Sequence, residues 1–227
     1  MIMYPKIDTL FKRGCKGKLI LGEWACPEFE YLANNKWLAT EKIDGTNIRV
    51  YWSHIKKTFE IGGRTDNAQI PTFLFKKLTG IFTKDKFIKL FPSTDICLYG
   101  EGFGNKIQKV GSQYIKNDVD FILFDALVGK WWLKREDVRN IACSLDLKLV
   151  PEYSLLTLYE AINLIKKGIK STCTELSIAN NLLTEGLVLK PKVELKDRAG
   201  NRIITKIKHK DFNNINDEEF DFWVSSK

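Results

Sequence analysis

The sequence predicts an α+β fold, on three observations: short runs with two-residue alternation, segments of helical spacing between them, and no repeat or linker that divides the chain. At 227 residues, 44% of them hydrophobic, the chain is long enough for one substantial core, and a single domain over residues 1–227 is expected. In order, strands are expected around residues 36–40, 47–52, 58–62, 95–100, 119–125, 186–190 and 202–209. The second is the clearest, since Ile48, Val50 and Trp52 alternate with Asn47, Arg49 and Tyr51 as on a half-buried strand. Helices are expected around 70–80, 84–91, 134–146 and 157–168. In the first of these Phe73, Leu74, Lys77 and Leu78 fall at three- and four-residue spacings. The last starts after a capping Thr157 and stops at Gly168.

Composition narrows the class of protein. No apolar run reaches membrane-spanning length, and residues 1–10 lack the apolar centre of a signal peptide, so a soluble, cytoplasmic protein without a membrane partner is expected. Five cysteines (Cys15, Cys26, Cys97, Cys143 and Cys173) are odd in number and widely spaced, which predicts reduced thiols, several of them buried. Neither a disulfide framework nor a zinc site is expected. His54 and His209 stand alone and are expected on the surface. The formal net charge of +8 favours a polyanionic partner such as nucleic acid.

Chemistry enters at Thr40-Glu41-Lys42-Ile43-Asp44-Gly45-Thr46-Asn47, which sets a lysine, a carboxylate and a glycine between two strand-like runs. A lysine in a tight connection at a sheet edge, partly desolvated and beside other cations, can lose its proton near neutral pH and act as a nucleophilic amine. An ordinary Asp-Gly turn would leave the same string, so the rest of the chain must decide. Five further segments follow in order: Gly62-Gly63-Arg64-Thr65, Leu98-Tyr99-Gly100-Glu101-Gly102, Phe121-Ile122-Leu123-Phe124-Asp125, Glu185-Gly186-Leu187-Val188-Leu189-Lys190-Pro191, and Lys206-Ile207-Lys208. Together the six resemble the motifs of the covalent nucleotidyltransferases, the superfamily of polynucleotide ligases and mRNA capping enzymes. The likeness is greatest to the nick-sealing RNA ligases of the second phage type, because Ile107-Gln108-Lys109 follows the Glu101 segment as it does there. The resemblance runs from about Lys36 to Lys210.

The resemblance implies a nucleotidyltransferase fold, with two antiparallel sheets flanked by helices and a nucleotide cleft between them. It implies that Lys42 is the nucleophile and that Lys206 and Lys208, on one strand face, steady the charge on the α-phosphate. Asp44 and Gly45 follow the nucleophile, the glycine for conformational freedom and the aspartate to orient the amine; the RNA ligases often carry histidine where Asp44 stands. Glu41 is implied to accept a hydrogen bond from the purine, Arg64 to bind phosphate or ribose, and Phe121 to stack on the base with Phe124 left in the core. Glu101 is assigned a ribose hydroxyl or a metal, Asn47 a metal through water, and Glu185 a catalytic Mg2+ or Mn2+.

The implied activity is that of an ATP-dependent RNA ligase. Lys42 takes AMP from ATP, AMP passes to a 5′-phosphate, and a 3′-hydroxyl displaces AMP to join RNA ends or seal a nicked duplex. ATP rather than NAD is expected because only about forty residues precede Lys42. With seventeen residues after Lys210, no separate OB-fold or helical domain is expected; a monomer is expected too, and the lysine-, asparagine- and isoleucine-rich composition points to an AT-rich, virus-like genome. The alternatives are a minimal DNA ligase, an mRNA guanylyltransferase-like enzyme, or a non-catalytic nucleic-acid-binding module of the same fold.

Overall fold

The protein is described here by a computed structural model covering residues 2–213 and 215–225, apart from the side chains of residues 219 and 224. In chain order the strands are β1 (Asp8–Thr9), β2 (Phe11–Arg13), β3 (Leu19–Trp24), β4 (Trp37–Lys42), β5 (Thr46–Ser53), β6 (Thr58–Gly62), β7 (Ile96–Gly104), β8 (Val119–Val128), β9 (Trp131–Trp132), β10 (Lys148–Leu149), β11 (Glu152–Leu156), β12 (Gly186–Pro191) and β13 (Thr205–Lys208). The helices are α1 (Pro27–Tyr31), α2 (Thr72–Ile81), α3 (Lys84–Leu90), α4 (Gly111–Tyr114), α5 (Arg135–Leu145), α6 (Leu158–Lys167), α7 (Glu175–Ala179) and α8 (Asp217–Ser225). Every strand and helix expected from the sequence is present. The expected strand 202–209 is cut to β13, because Arg202 is paired back to Glu194 across a hairpin and residues 209–212 turn into a 3-10 helix.

The contacts group into two compact units, each made of discontinuous segments. One comprises Met1–Pro5, Ile43–Val150 and Thr172–Asn180; the other Lys6–Lys42, Pro151–Ser171 and Asn181–Lys227. Where the sequence leads to one domain, each unit has its own sheet and its own apolar cluster.

The first unit is built on a six-stranded sheet in which β10, β8, β7, β5 and β6 lie side by side and β9 pairs with β8. One face buries Ile48, Val50, Trp52, Leu98, Phe121 and Leu123 in a cluster with Leu74 and Leu78 of α2, Phe87 of α3, and Val138 and Ala142 of α5. Burying a side chain of this size stabilises a fold by about 1.5–3 kcal/mol. The opposite face is polar, as the alternation of β5 demands, and the start of the chain covers part of it. Tyr4 packs edge-on against Phe124, 5.1 Å between ring centroids, and lies 5.1 Å from the ring of Tyr99. Its hydroxyl donates to the buried Asp125 at 2.8 Å, while the Tyr99 hydroxyl donates to the Ile2 carbonyl.

The second unit holds a five-stranded sheet in the order β1, β13, β12, β4, β11, with β2 and β3 as a separate ribbon. Trp37, Ala39, Leu187, Leu189 and Ile207 form its core with Leu158, Ala161, Ile162 and Ile165 of α6. Helix α6 starts at a complete capping box, in which Thr157 and Glu160 each accept from the other's backbone N–H. The acidic and aromatic tail forms α8, which sets Phe220 into the core and Trp223 against Phe11. Both sheets were expected to be antiparallel; each carries one parallel edge pair, β1 with β13 and β10 with β8, through strands only two residues long.

No helix of the described residues is long and apolar enough to cross a membrane. None of the five cysteines is in a disulfide, and of them only Cys97 is buried, where several were expected. His54 is not isolated: its Nδ1 lies 2.6 Å from Asp95, which also accepts from the Tyr51 hydroxyl.

Candidate active site

In the second unit three adjacent strands bring the chemistry together. Gly186 at the start of β12 lies opposite Lys42 at the end of β4 on one side and opposite Lys208 at the end of β13 on the other. Glu185, one residue earlier, reaches both lysines: Oε2 accepts from Lys42 Nζ at 2.5 Å and Oε1 faces Lys208 Nζ at 2.6 Å. The three side chains are 16–23% exposed, so the cluster is desolvated yet open. Burial pushes the Glu185 carboxyl upward, but the Lys42 and Lys208 ammoniums outweigh it and hold the group below its ordinary 4.5. Lys206 lies two residues back on β13, opposite Val188, on the same strand face as Lys208. Gly186 is required by close approach, because a Cβ there would meet the Ile207 carbonyl oxygen at 1.9 Å.

Glu41 precedes the lysine and, by the alternation of β4, points to the other face of the sheet. It is 2% exposed, and its carboxylate accepts from the Ser171 hydroxyl at 2.5 Å and from the Tyr153 hydroxyl at 3.4 Å. The sequence placed Glu41 against a base without these two partners, which lie 130 and 112 residues away and leave no local signal.

The remaining predicted residues lie in the first unit. Asn47 on β5 stands opposite Glu101 on β7, so the two side chains share the polar face. Gly45 precedes β5. Its φ is not positive, so it is not there for conformational freedom; a Cβ would meet the Gly102 carbonyl oxygen at 2.4 Å and Glu101 Cγ at 2.7 Å. Its own carbonyl accepts from Gln108 Nε2 at 3.0 Å, which gives the Ile107-Gln108-Lys109 stretch a structural reason beside the Glu101 segment. Asp44 is half-buried in the same connection. Arg64 is exposed in the loop after β6. Of the two glycines before it, Gly63 does not open toward a ligand, since it is buried and a Cβ on it would lie 2.8 Å from that of Ala68.

The assignment of the two aromatics on β8 is corrected. Phe121 is 1% exposed and packs edge-on against Phe82 in the core, while Phe124 is half-buried on the polar face beside Tyr4. The two rings still face opposite sides, as residues three apart on a strand do, but it is Phe121 that faces the core; a bulge follows, where Tyr99 pairs with Asp125 but Gly100 with Leu123, and sets Phe124 and Asp125 on the same face beside Tyr4.

A divalent cation fits the first unit as a hydrated ion. Asn47 Oδ1 is buried and has no hydrogen-bond partner among the described residues, an acceptor that a metal-bound water would satisfy, and Glu101 adds a carboxylate across the ladder. No group of three or more His, Cys, Asp or Glu converges among the described residues. Glu185, expected to be a metal ligand, has both oxygens taken by ammoniums, so a cation would bind it only in place of one of them.

Comparison with known proteins agrees with this geometry. The model of the RNA ligase family matches residues 35–208. No curated protein matches the chain. Among solved structures, a lysine-to-alanine variant of the Naegleria gruberi RNA ligase with ATP and Mn is similar at 20% identity and a TM-score of 0.62, over 92% of this chain and 64% of that one. The same ligase with PPi is 21% identical, with a TM-score of 0.60 over 90% and 61% of the two chains. A lysine-to-methionine variant with AMP and Mn is 19% identical, with a TM-score of 0.61 over 90% and 61%. The fold is therefore that of these RNA ligases, and the chain spans about three-fifths of their length. The candidate residues of each unit fall inside the 35–208 match, and the chain belongs to the RNA ligase family.

Proposed function

We propose that this protein is an ATP-dependent RNA ligase that works through a lysyl-AMP intermediate. The observation that carries the reading is the Lys42–Glu185–Lys208 row, a partly desolvated lysine held beside a second cation by one carboxylate at the ends of three strands. The ion pair keeps Lys42 in place, so attack requires the pair to open and a proton to pass from the amine to solvent. The neutral amine then attacks the α-phosphorus of ATP, forming a P–N bond as the bond to the bridging oxygen breaks and pyrophosphate leaves. Lys208, and Lys206 from the same strand face, provide positive charge for the non-bridging oxygens as negative charge builds on them.

The first unit has candidate groups of its own. Glu101 and Asn47 would hold a hydrated Mg2+ or Mn2+, which when bound screens the phosphates and acts as a Lewis acid. Phe124 offers the half-buried ring for the base, and Arg64 an exposed guanidinium for ribose or phosphate. In the two later steps AMP passes from Lys42 to an RNA 5′-phosphate, and a 3′-hydroxyl displaces AMP to leave a phosphodiester bond. The net charge of +8 suits a nucleic-acid substrate.

The test is incubation with α-labelled ATP or GTP and magnesium, followed by denaturing electrophoresis. The parent is expected to carry a covalent AMP label that Lys42→Ala lacks and that nicked RNA bearing a 5′-phosphate discharges. No label on protein first treated with pyrophosphate, with either nucleotide, would sink the enzyme reading in favour of a binding module.

A further inference from the structure

Arg49 is a wholly buried arginine that no motif of the chain accounts for. It sits on β5 two residues after Asn47, opposite Gly62 on one side and Tyr99 on the other, at 0% exposure. A guanidinium cannot shed its charge, so this position costs desolvation free energy unless the group is paired and fully bonded. What it bonds to is the loop that carries Arg64. Arg49 Nε donates to the Gly63 carbonyl at 2.6 Å and an Nη donates to Asp66 Oδ1 at 2.9 Å. One anchor lies just before Arg64 and the other two residues after it. The loop is also closed on itself, since Ala68 N–H donates to the Thr65 carbonyl at 3.1 Å and Gly63 lies close against Ala68.

We propose that Arg49 is a positioning residue: its fork spans the Gly63–Asp66 turn and fixes the exposed Arg64 between two anchors, ready for the phosphate or ribose of the nucleotide. The inference rests on the reading of Arg64 as a nucleotide-binding group. Lysine would not replace Arg49, because a single ammonium cannot address a carbonyl and a carboxylate in one plane at two separate points. Asp66 is the informative partner. Its side chain is 69% exposed, so removing it frees one anchor without opening a cavity. A loop released by a fraction of an ångström loses nucleotide binding while the chemistry at Lys42 is untouched.

Two measurements on Asp66→Ala test this. Limited trypsin digestion of the folded protein reads the loop directly, since Arg64 is itself a cleavage site; cutting after it is expected to speed up about tenfold while cutting elsewhere changes by less than about twofold, which separates release of the loop from the lower melting temperature that unpairing the buried Arg49 brings. Label transfer from ATP is expected to show KM raised about tenfold and kcat within about twofold, and in an Arg64→Ala background the same change is expected to add less than about twofold. Unchanged cleavage would overturn the anchoring. Faster cleavage with unchanged KM, or an Asp66→Ala effect that adds in full on top of Arg64→Ala, would overturn the positioning role. Loss of label in the parent is a separate failure, that of the ligase reading, and cleavage at Arg64 still decides whether the loop is anchored.

Discussion

Glu185 is shared by two lysines, and its ionisation follows from that position. Burial raises its carboxyl pKa and the two ammoniums lower it; the lysines win, so the folded value lies below 4.5. The folded protein thus binds this proton less readily than the unfolded chain does. The contribution to stability is complete above the unfolded pKa and is lost as pH falls through the folded one. The gap in melting temperature between the parent and Glu185→Gln should therefore be constant from roughly pH 6 to 8 and narrow in acid; a gap that widened below pH 4.5 would contradict the pairing. The two aromatics of β8 separate in the same way. Phe121→Ala should cost about 3–5 kcal/mol of unfolding free energy, the usual loss for a core phenylalanine. Phe124→Ala should leave stability within about 1.5 kcal/mol and raise KM for ATP, because its ring is half-buried on the polar face. Lys42, Glu185 and Lys208, which the structure brings into one row, were each singled out in the sequence by motif order. That Phe124 and not Phe121 leaves the core was hidden because alternation says only that the two face opposite sides, and which side packs on α2 and α3 depends on the rest of the unit. Arg49 and the Ser171–Glu41 contact were hidden for the related reason that their partners come from other strands and loops.

At the scale of elements the strands and helices with strong periodicity were all legible, and α6 began and ended where Thr157 and Gly168 placed it. The short pieces were not: β1, β9 and β10 have two residues each, too few for any alternation to register. The β12–β13 pair is where an element controls the site, because Gly186 lets the two strands close up with Lys42 and Lys208 in one row. Gly186→Ala would set a methyl 1.9 Å from the Ile207 carbonyl oxygen and 2.8 Å from Lys208 Cα, backbone atoms that cannot step aside. The strands must spread, at a cost of about 1–3 kcal/mol. Adenylylation should fall with stability, since the spread moves Lys208 away from Glu185. Gly80 in α2 is the control: a Cβ there meets nothing within 4 Å, so Gly80→Ala should gain about 0.5–1 kcal/mol from helix propensity alone. Paired thermal melts of the two variants check both signs.

For the whole molecule the one property readable before any fold was charge, with 36 lysines and arginines against 28 acids. Much of it is neutralised locally: Arg13 pairs with Asp211, Lys36 with Glu160, Lys77 with Asp118, Lys148 with Asp120 and Lys166 with Asp217. Pairs that lie this near the solvent add little to stability. They also lower the positive charge available to a polyanion, so the excess of +8 is what RNA would feel at a distance. A protein that uses such an excess to hold a phosphate backbone releases counterions on binding, and its affinity falls linearly in log–log form with salt. Affinity for a nicked RNA duplex, read by fluorescence anisotropy on the Lys42→Ala protein, should then drop on the order of tenfold to a hundredfold between about 50 and 200 mM salt. Transfer of AMP from ATP to Lys42, made at one partly buried row, should change by less than about threefold over the same range. A flat salt response of RNA binding would mean that the excess charge is only a solvated surface, and that the RNA is held by shape and base contacts alone.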